Sequence, residues 1–144
     1  VDPTKVNLVP AMTLTSVVTA VRTVPKGFYV SYGMTHKTQK KTQLATVPIG
    51  YADGFSRQFS SRGVMLVNGH RAPVVGRVCM DQTMIDVGSI PDVTPGDDVV
   101  LIGSQGRETL GADDLADSIN TINYEIVSAL TPRVKRIYFN SGRK

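Results

Sequence analysis

Apolar residues in this chain change their period once, and late. From Met12 to Ile102 they recur at every second position or in short runs cut by turns; from Leu115 to Leu130 they recur at helical spacing. That order requires a set of short strands first, with helices added to it afterwards. Between Met12 and Val24, one side of a strand carries Met12, Leu14, Val18 and Ala20, and the other carries Thr13, Thr15, Thr19 and Thr23. Pro25-Lys26-Gly27 ends it, and Phe28 to Tyr32 reads as a second strand. The polar stretch Thr35 to Thr42 reads as a loop. Leu44 to Ile49 resumes as strand, with Pro48 arguing for an edge or a bulge.

Gly50-Tyr51-Ala52-Asp53-Gly54 reads as irregular backbone opening a short helical turn through Gln58. Asn68-Gly69, set between Val64–Val67 and Arg71–Val75, is the strongest short-range hairpin signal in the chain. Val78 to Val87 and Asp98 to Ile102 continue the strand pattern across the turn Pro95-Gly96-Asp97. Leu115 and Ile119, then Ile122, Ile126 and Leu130, mark two short helices, with Asp113 and Asp114 suited to a helix N-terminus. Val134 to Phe139 reads as a last strand. The expected fold is mainly β: one domain over residues 1–144, a small closed or nearly closed barrel of seven to eight strands with two short helices near the C-terminus. A content of 20 Val and 14 Thr, punctuated by 13 Gly and 8 Pro, agrees with that reading.

Charge and cysteine content narrow the function classes. The net charge is +4 with only 19% charged residues and no long like-charge run, which excludes a disordered polyelectrolyte. A single cysteine, Cys79, excludes an internal disulfide framework and suits a cytoplasmic setting. With two histidines, His36 and His70, beside that thiol, a zinc-type cluster is not expected, and both histidines read as solvated side chains. No apolar run reaches membrane-spanning length, so no membrane partner is expected. The first residue is valine, as expected of a piece of something longer.

Generic motifs add little. Gly103-Ser104-Gln105-Gly106 resembles a backbone-clamping GxxG loop, but it follows a strand, and a plain turn is the better reading. Tyr32 in Ser-Tyr-Gly, Tyr51 in Gly-Tyr-Ala-Asp-Gly and Tyr124 in Asn-Tyr-Glu each lie beside glycine or polar residues. A phenol so placed either points its hydroxyl into a cleft or buries its ring with a wet oxygen.

On spacing alone the buried ring is the better reading for any one of them, and five segments in register shift the balance toward the cleft. Pro10-Ala11-Met12, Ser31-Tyr32-Gly33, Ile49-Gly50-Tyr51-Ala52-Asp53-Gly54, Val75-Gly76-Arg77-Val78-Cys79-Met80-Asp81-Gln82 and Thr121-Ile122-Asn123-Tyr124-Glu125 together resemble the C-terminal β-domain of alanine racemase. The likeness runs from about residue 8 to the C-terminus. It implies an isomerase that interconverts L- and D-alanine through an imine with pyridoxal phosphate, supplying D-alanine for cell-wall peptidoglycan. A Lys and a Tyr flank the α-carbon in that family, because racemisation needs proton delivery to both faces.

The residue matching the Tyr is Tyr32. An ordinary phenol is a poor base near neutral pH, and the resemblance assigns the groups that activate it to another domain. Met80 resembles the residue whose backbone N–H binds the substrate carboxylate, a role compatible with a packing side chain. Tyr124 matches the tyrosine whose hydroxyl meets the cofactor phosphate. Tyr51 matches an aromatic gate that narrows the substrate entrance and favours a methyl side chain. Arg57, Arg77 and Ile122 fall where the family lines its outer access corridor; for the two arginines, steering a carboxylate and a solvated surface role both remain open. Asp53 and Asp81 are expected to bond loop amides. Met34-Thr35-His36 departs from many relatives, which carry tyrosine in place of the histidine.

None of the seven lysines, at 5, 26, 37, 40, 41, 135 and 144, falls in a cofactor-lysine motif. The resemblance assigns that lysine to an N-terminal (β/α)₈ domain, and the two halves of each active site to two subunits of a head-to-tail homodimer. The chain alone is therefore expected to be inactive. Two rival readings stand beside this one: a racemase of the same family preferring serine, and a basic β-barrel that binds nucleic acid through the Lys37-Lys40-Lys41 loop and the Arg133, Lys135, Arg136 edge. Exposed aromatics for base stacking are scarce, with four Phe and no Trp, which argues against nucleic acid.

Overall fold

The computed structural model describes residues 9–139. The chain opens with β1 (Leu14–Val17) and β2 (Ala20–Val24), followed by β3 (Tyr29–Val30), β4 (His36–Lys37) and β5 (Thr42–Val47). After two single helical turns at Tyr51–Asp53 and Arg57–Phe59 come β6 (Val64–Val67), β7 (His70–Pro73), β8 (Thr83–Asp86), β9 (Asp98–Gln105) and β10 (Glu108–Leu110). Two helices, α1 (Ala112–Ser118) and α2 (Asn123–Ser128), close the sequence of elements. The mainly-β expectation with two late helices holds.

The strands form three sheets rather than one closed barrel: β1-β9-β6-β7 with β10 on β9, β2-β5-β8, and β3-β4. A single bridge from Val74 to Ile85 links the end of β7 to β8. Strand β9 is the hub. Its run Val99-Val100-Leu101-Ile102 is wholly buried, because the strand is covered on both faces and paired on both edges.

The opening segment is two strands, not one. Val18 donates its N–H to Asp97 O at 2.8 Å and Thr19 donates to Thr46 O at 2.9 Å, so the chain leaves one sheet for the next across that peptide. The turn shifts the inward phase: Leu14 and Val18 are buried, Ala20 is exposed, and Val24 takes the next core position. Pro48 marks no edge. It lies just past β5, the central strand of its sheet, and β5 is buried on both sides, with Leu44 in one cluster and Ala45 and Val47 in another.

Other departures have local causes. Residues 35–42 are not all loop, since His36 and Lys37 pair with Val30 and Tyr29. His36 is accordingly half-buried, while His70 is exposed. The expected strand from Val78 to Val87 is strand only over Thr83–Asp86. Val78 and Cys79 are buried within an irregular loop turned by Gly76 at φ +75°. The hairpin at Asn68-Gly69 forms as expected, with both residues at positive φ. Gly106-Arg107 turns β9 into β10, a plain turn and not a clamp.

The last expected strand, Val134 to Phe139, does not form. Arg136 instead donates to the carbonyls of Leu130, Thr131 and Val134, which close the turn after α2, and Ile137, Tyr138 and Phe139 stand exposed. No helix among the described residues is long and apolar enough to cross a membrane.

Candidate functional site

Two irregular segments lie back to back at the end of the β5–β8 sheet. Gly50 opens the helical turn at Tyr51–Asp53, and a Cβ at that position would overlap the carbonyl oxygens of Cys79 and Met80. Absence of a side chain lets Tyr51 donate its N–H to Cys79 O and Ala52 donate to Met80 O, both at 3.1 Å. Asp53, buried, turns back to accept Gly50 N–H at 2.9 Å. This is the amide-bonding duty expected of it. Below the turn, Phe55 and Phe59 stack with ring centroids 4.5 Å apart and anchor the segment in the core.

The 75–82 loop is tied on its far side as well. Thr83 donates its hydroxyl to Ile49 O at 2.7 Å, and Cys79 donates its N–H to Gln82 O at 2.9 Å. At the apex, Met80 holds its side chain half-exposed, and its own N–H donates to no acceptor among the described residues. An amide with no acceptor among the described residues, at a half-exposed loop apex, is a donor available to an anion.

A third segment brings Tyr32 to the same place. Ser31, Gly33 and Met34 all have positive φ, at 64°, 72° and 51°, so the chain makes a tight reversal that leaves Tyr32 74% exposed. The Ser31 hydroxyl donates to Arg77 O at 2.6 Å across the interface with the 75–82 loop.

Together these segments enclose an open cleft of about 580 Å³ lined by Tyr32, Tyr51, Arg57, Arg77, Met80 and Gln82, among others. Tyr32, Tyr51, Met80, Arg57 and Arg77 were each expected in the site, and the fold assembles all five. It does not bring Ile122 or Tyr124 to this cleft. Both are exposed at the start of α2, where Asn123 donates to Asp113 Oδ1 and pins α2 to α1.

Asp81 departs from its expected duty. It accepts no loop amide among the described residues; its carboxylate takes the Arg133 guanidinium at 2.5 Å. Arg133 also sits 3.1 Å from Asp53. Hydrogen bonding to Asp81, then the charge of Asp53, raises the Arg133 pKa above its ordinary value. The basic edge proposed for nucleic acid is therefore engaged internally at Arg133 and Arg136. Ser31 and Arg133 are the two residues that sequence reasoning left without this structural part. A serine does not advertise positive φ, and an arginine does not advertise which acid it will meet.

No group of three metal-ligating side chains occurs among the described residues. For pyridoxal phosphate the donor set decides. Covalent attachment needs an amine, and among the described residues the cleft is lined by phenols, guanidinia, a thiol, a carboxylate and amides, with no lysine. Lys37, for example, lies over the Tyr29 ring instead. The Tyr124 hydroxyl has no hydrogen-bond partner among the described residues, and those residues by themselves do not supply the amine that the cofactor needs.

A family model described as alanine racemase, C-terminal domain, matches residues 11–138. The alanine racemase of Desulfosudis oleivorans is 56% identical over 142 residues, which are 99% of this chain and 36% of that protein. Among solved structures, an alanine racemase from Bacillus anthracis with bound L-Ala-P superposes with a TM-score of 0.90 at 42% identity, covering 99% of this chain and 36% of that one. One from Bartonella henselae with covalently bound pyridoxal phosphate gives a TM-score of 0.83 at 34% identity, over 88% of this chain and 34% of that one. The chain thus spans about a third of the length of the proteins it matches.

Proposed function

The chain belongs to the alanine racemase C-terminal domain family, and on that premise we propose that it is the portion of an alanine racemase that receives the amino acid and serves one face of its α-carbon. The observation that carries this is the meeting, in one open cleft, of Tyr32, Tyr51 and the unpartnered Met80 amide, drawn from three separate segments.

In this reading the Met80 N–H holds the substrate carboxylate, adding no competing charge. Tyr32 gives and takes the α-proton on its side. Tyr51 narrows the opening so that a methyl side chain passes and larger ones do not. Arg57 and Arg77, on the cleft wall, draw the carboxylate inward. Tyr124 would meet the phosphate of pyridoxal phosphate once the rest of the enzyme brings that cofactor to it; the chemistry the cofactor would supply is withdrawal of electrons from the α-carbon. Its lysine, and the base for the opposite face, come from the rest of the enzyme.

A contact with that remainder, and with a second subunit, is supported by apolar side chains that this chain leaves uncovered: Ile122, Tyr124, Ile137, Tyr138 and Phe139.

The test is Tyr32→Phe in the full-length enzyme, following both racemisation and exchange of the α-proton with solvent. Losing one of two proton carriers stops inversion, yet the other face keeps exchanging the α-proton of one enantiomer with retention. Racemisation should fall by about a hundredfold or more while single-enantiomer exchange persists. Racemisation at the unmodified rate, or loss of affinity alone, sinks the assignment. Faster turnover of serine than alanine by the unmodified enzyme would instead establish the serine-preferring relative.

A further inference from the structure

We infer that Ser31 is a positioning residue for Tyr32: its hydroxyl fixes the reversal carrying the tyrosine to the loop carrying Met80. The inference rests on the roles proposed above for Tyr32 and Met80, and adds what sets the spacing between them.

Ser31 has φ +64° and ψ −178°. That region is adopted almost solely by glycine, because a Cβ crowds the backbone there. A serine kept in it needs something that holds it, and the hold is visible. Its Oγ donates to Arg77 O at 2.6 Å, 46 residues away, and lies 3.4 Å from Cys79 Sγ. Opposite, Gly76 at φ +75° packs so closely that a Cβ on it would come within 2.9 Å of Ser31 Cβ and 2.8 Å of Val30 O. A glycine on one side and a hydroxyl on the other bring the two loops into direct contact.

The two loops do not depend on this contact equally. The Met80 loop is also held by Tyr51 and Ala52 N–H and by its own bond from Cys79 to Gln82. Among the described residues the backbone bond that spans the Tyr32 reversal is a long one, Met34 N–H to Ser31 O at 3.4 Å. Pairing of Val30 with His36 holds its base but not its tip. Loss of the Ser31 hydroxyl should therefore free Tyr32 while leaving the Met80 amide in place.

Ser31→Gly separates this role from fold stability. Glycine accepts the φ and ψ of Ser31 without strain but has no hydroxyl, so the melting temperature should hold or rise. In the full-length enzyme, racemisation should fall about tenfold to a hundredfold, chiefly in kcat, because the proton carrier loses its alignment. Solvent exchange that uses the opposite face should drop far less. In a Tyr32→Phe background the Ser31→Gly change should add almost nothing, since both act on one function. Ser31→Ala, which keeps the strained position without the bond, should lose both stability and racemisation.

Ser31→Gly that racemises like the unmodified enzyme overturns the inference. So does equal loss of racemisation and opposite-face exchange, which would mark general loosening of the site. Full racemisation by Tyr32→Phe would overturn the reading of Tyr32 itself, and the positioning role with it.

Discussion

The Arg133 guanidinium bridges two acids that belong to different loops: Nε lies 3.1 Å from Asp53 Oδ1 and Nη2 donates to Asp81 Oδ1 at 2.5 Å. Thr131 reinforces the join, donating its N–H to Asp53 O and its hydroxyl to Ala52 O. The segment that follows α2 is thereby fastened to the turn carrying Tyr51 and to the loop carrying Met80.

Arg133→Met should break that fastening without disturbing the core. Both Arg133 and Asp81 are more than half exposed, so the ion pair itself adds little to stability in solvent, and the melting temperature should change by no more than a few degrees. Substrate KM in the full-length enzyme should rise several-fold as the Met80 loop loses one tether. An unchanged KM would show that the loop is held without Arg133.

Gly50→Ala should be far more damaging. A methyl group there overlaps the Cys79 and Met80 carbonyls, which are backbone and cannot rotate away. Overpacking of this kind costs roughly 1–3 kcal/mol, and it prises apart the loops that form the cleft. A lower melting temperature together with a loss of racemisation out of proportion to it is expected; a stable, active Gly50→Ala enzyme would contradict the close approach.

Asp97 supplies an acid-side test remote from the cleft. Its carboxylate accepts the Thr94 N–H at 2.8 Å, with further bonds from Asn68 and the Thr94 hydroxyl, and the backbone bond from Thr94 chiefly holds its pKa below the ordinary carboxylate range. A depressed pKa in the folded chain means that its stabilisation is present above the unfolded value of about 3.9 and is lost as pH falls through the folded value. Thermal melts of Asp97→Asn should therefore differ from the parent at about pH 6, and the difference should shrink steadily as pH falls below about 4. A constant difference across that range would remove Asp97 from the pH response.

The chain alone should not bind pyridoxal phosphate covalently. Borohydride reduction of a mixture with the cofactor, followed by mass measurement, should give no stoichiometric adduct and no racemisation, because no lysine among the described residues lines the cleft. A single specifically labelled lysine, or turnover, would contradict the division of labour proposed for this chain.

The outcome for individual residues shows where local reasoning succeeds. Asn68-Gly69, Pro95-Gly96-Asp97 and the Asp113-Asp114 start of α1 are decided by backbone preferences within a few residues, and all were legible. The late strand at Val134–Phe139 was not: its β-prone side chains pair with no strand among the described residues, and Arg136 ties the preceding carbonyls instead. The run from Val78 to Val87 misled for a related reason. Buried apolar side chains mark contact with a core, and a loop pressed against that core buries them as a strand does.

For the site, five residues singled out by their motifs, Tyr32, Tyr51, Met80, Arg57 and Arg77, line one cleft, whereas Ile122 and Tyr124 stand apart from it. Short-range chemistry in the sequence also determined the mainly-β order of elements and the two late helices. The tertiary structure alone decided that the opening strand splits between sheets at Val18 and Thr19, that Arg133 serves Asp53 and Asp81, and that Ser31 is held at a glycine-like φ by Arg77 O. Each of these joins groups at least 27 residues apart. Backbone preference acts over a turn or two of chain, whereas a bond of that separation exists only once the whole core has fixed where both partners stand.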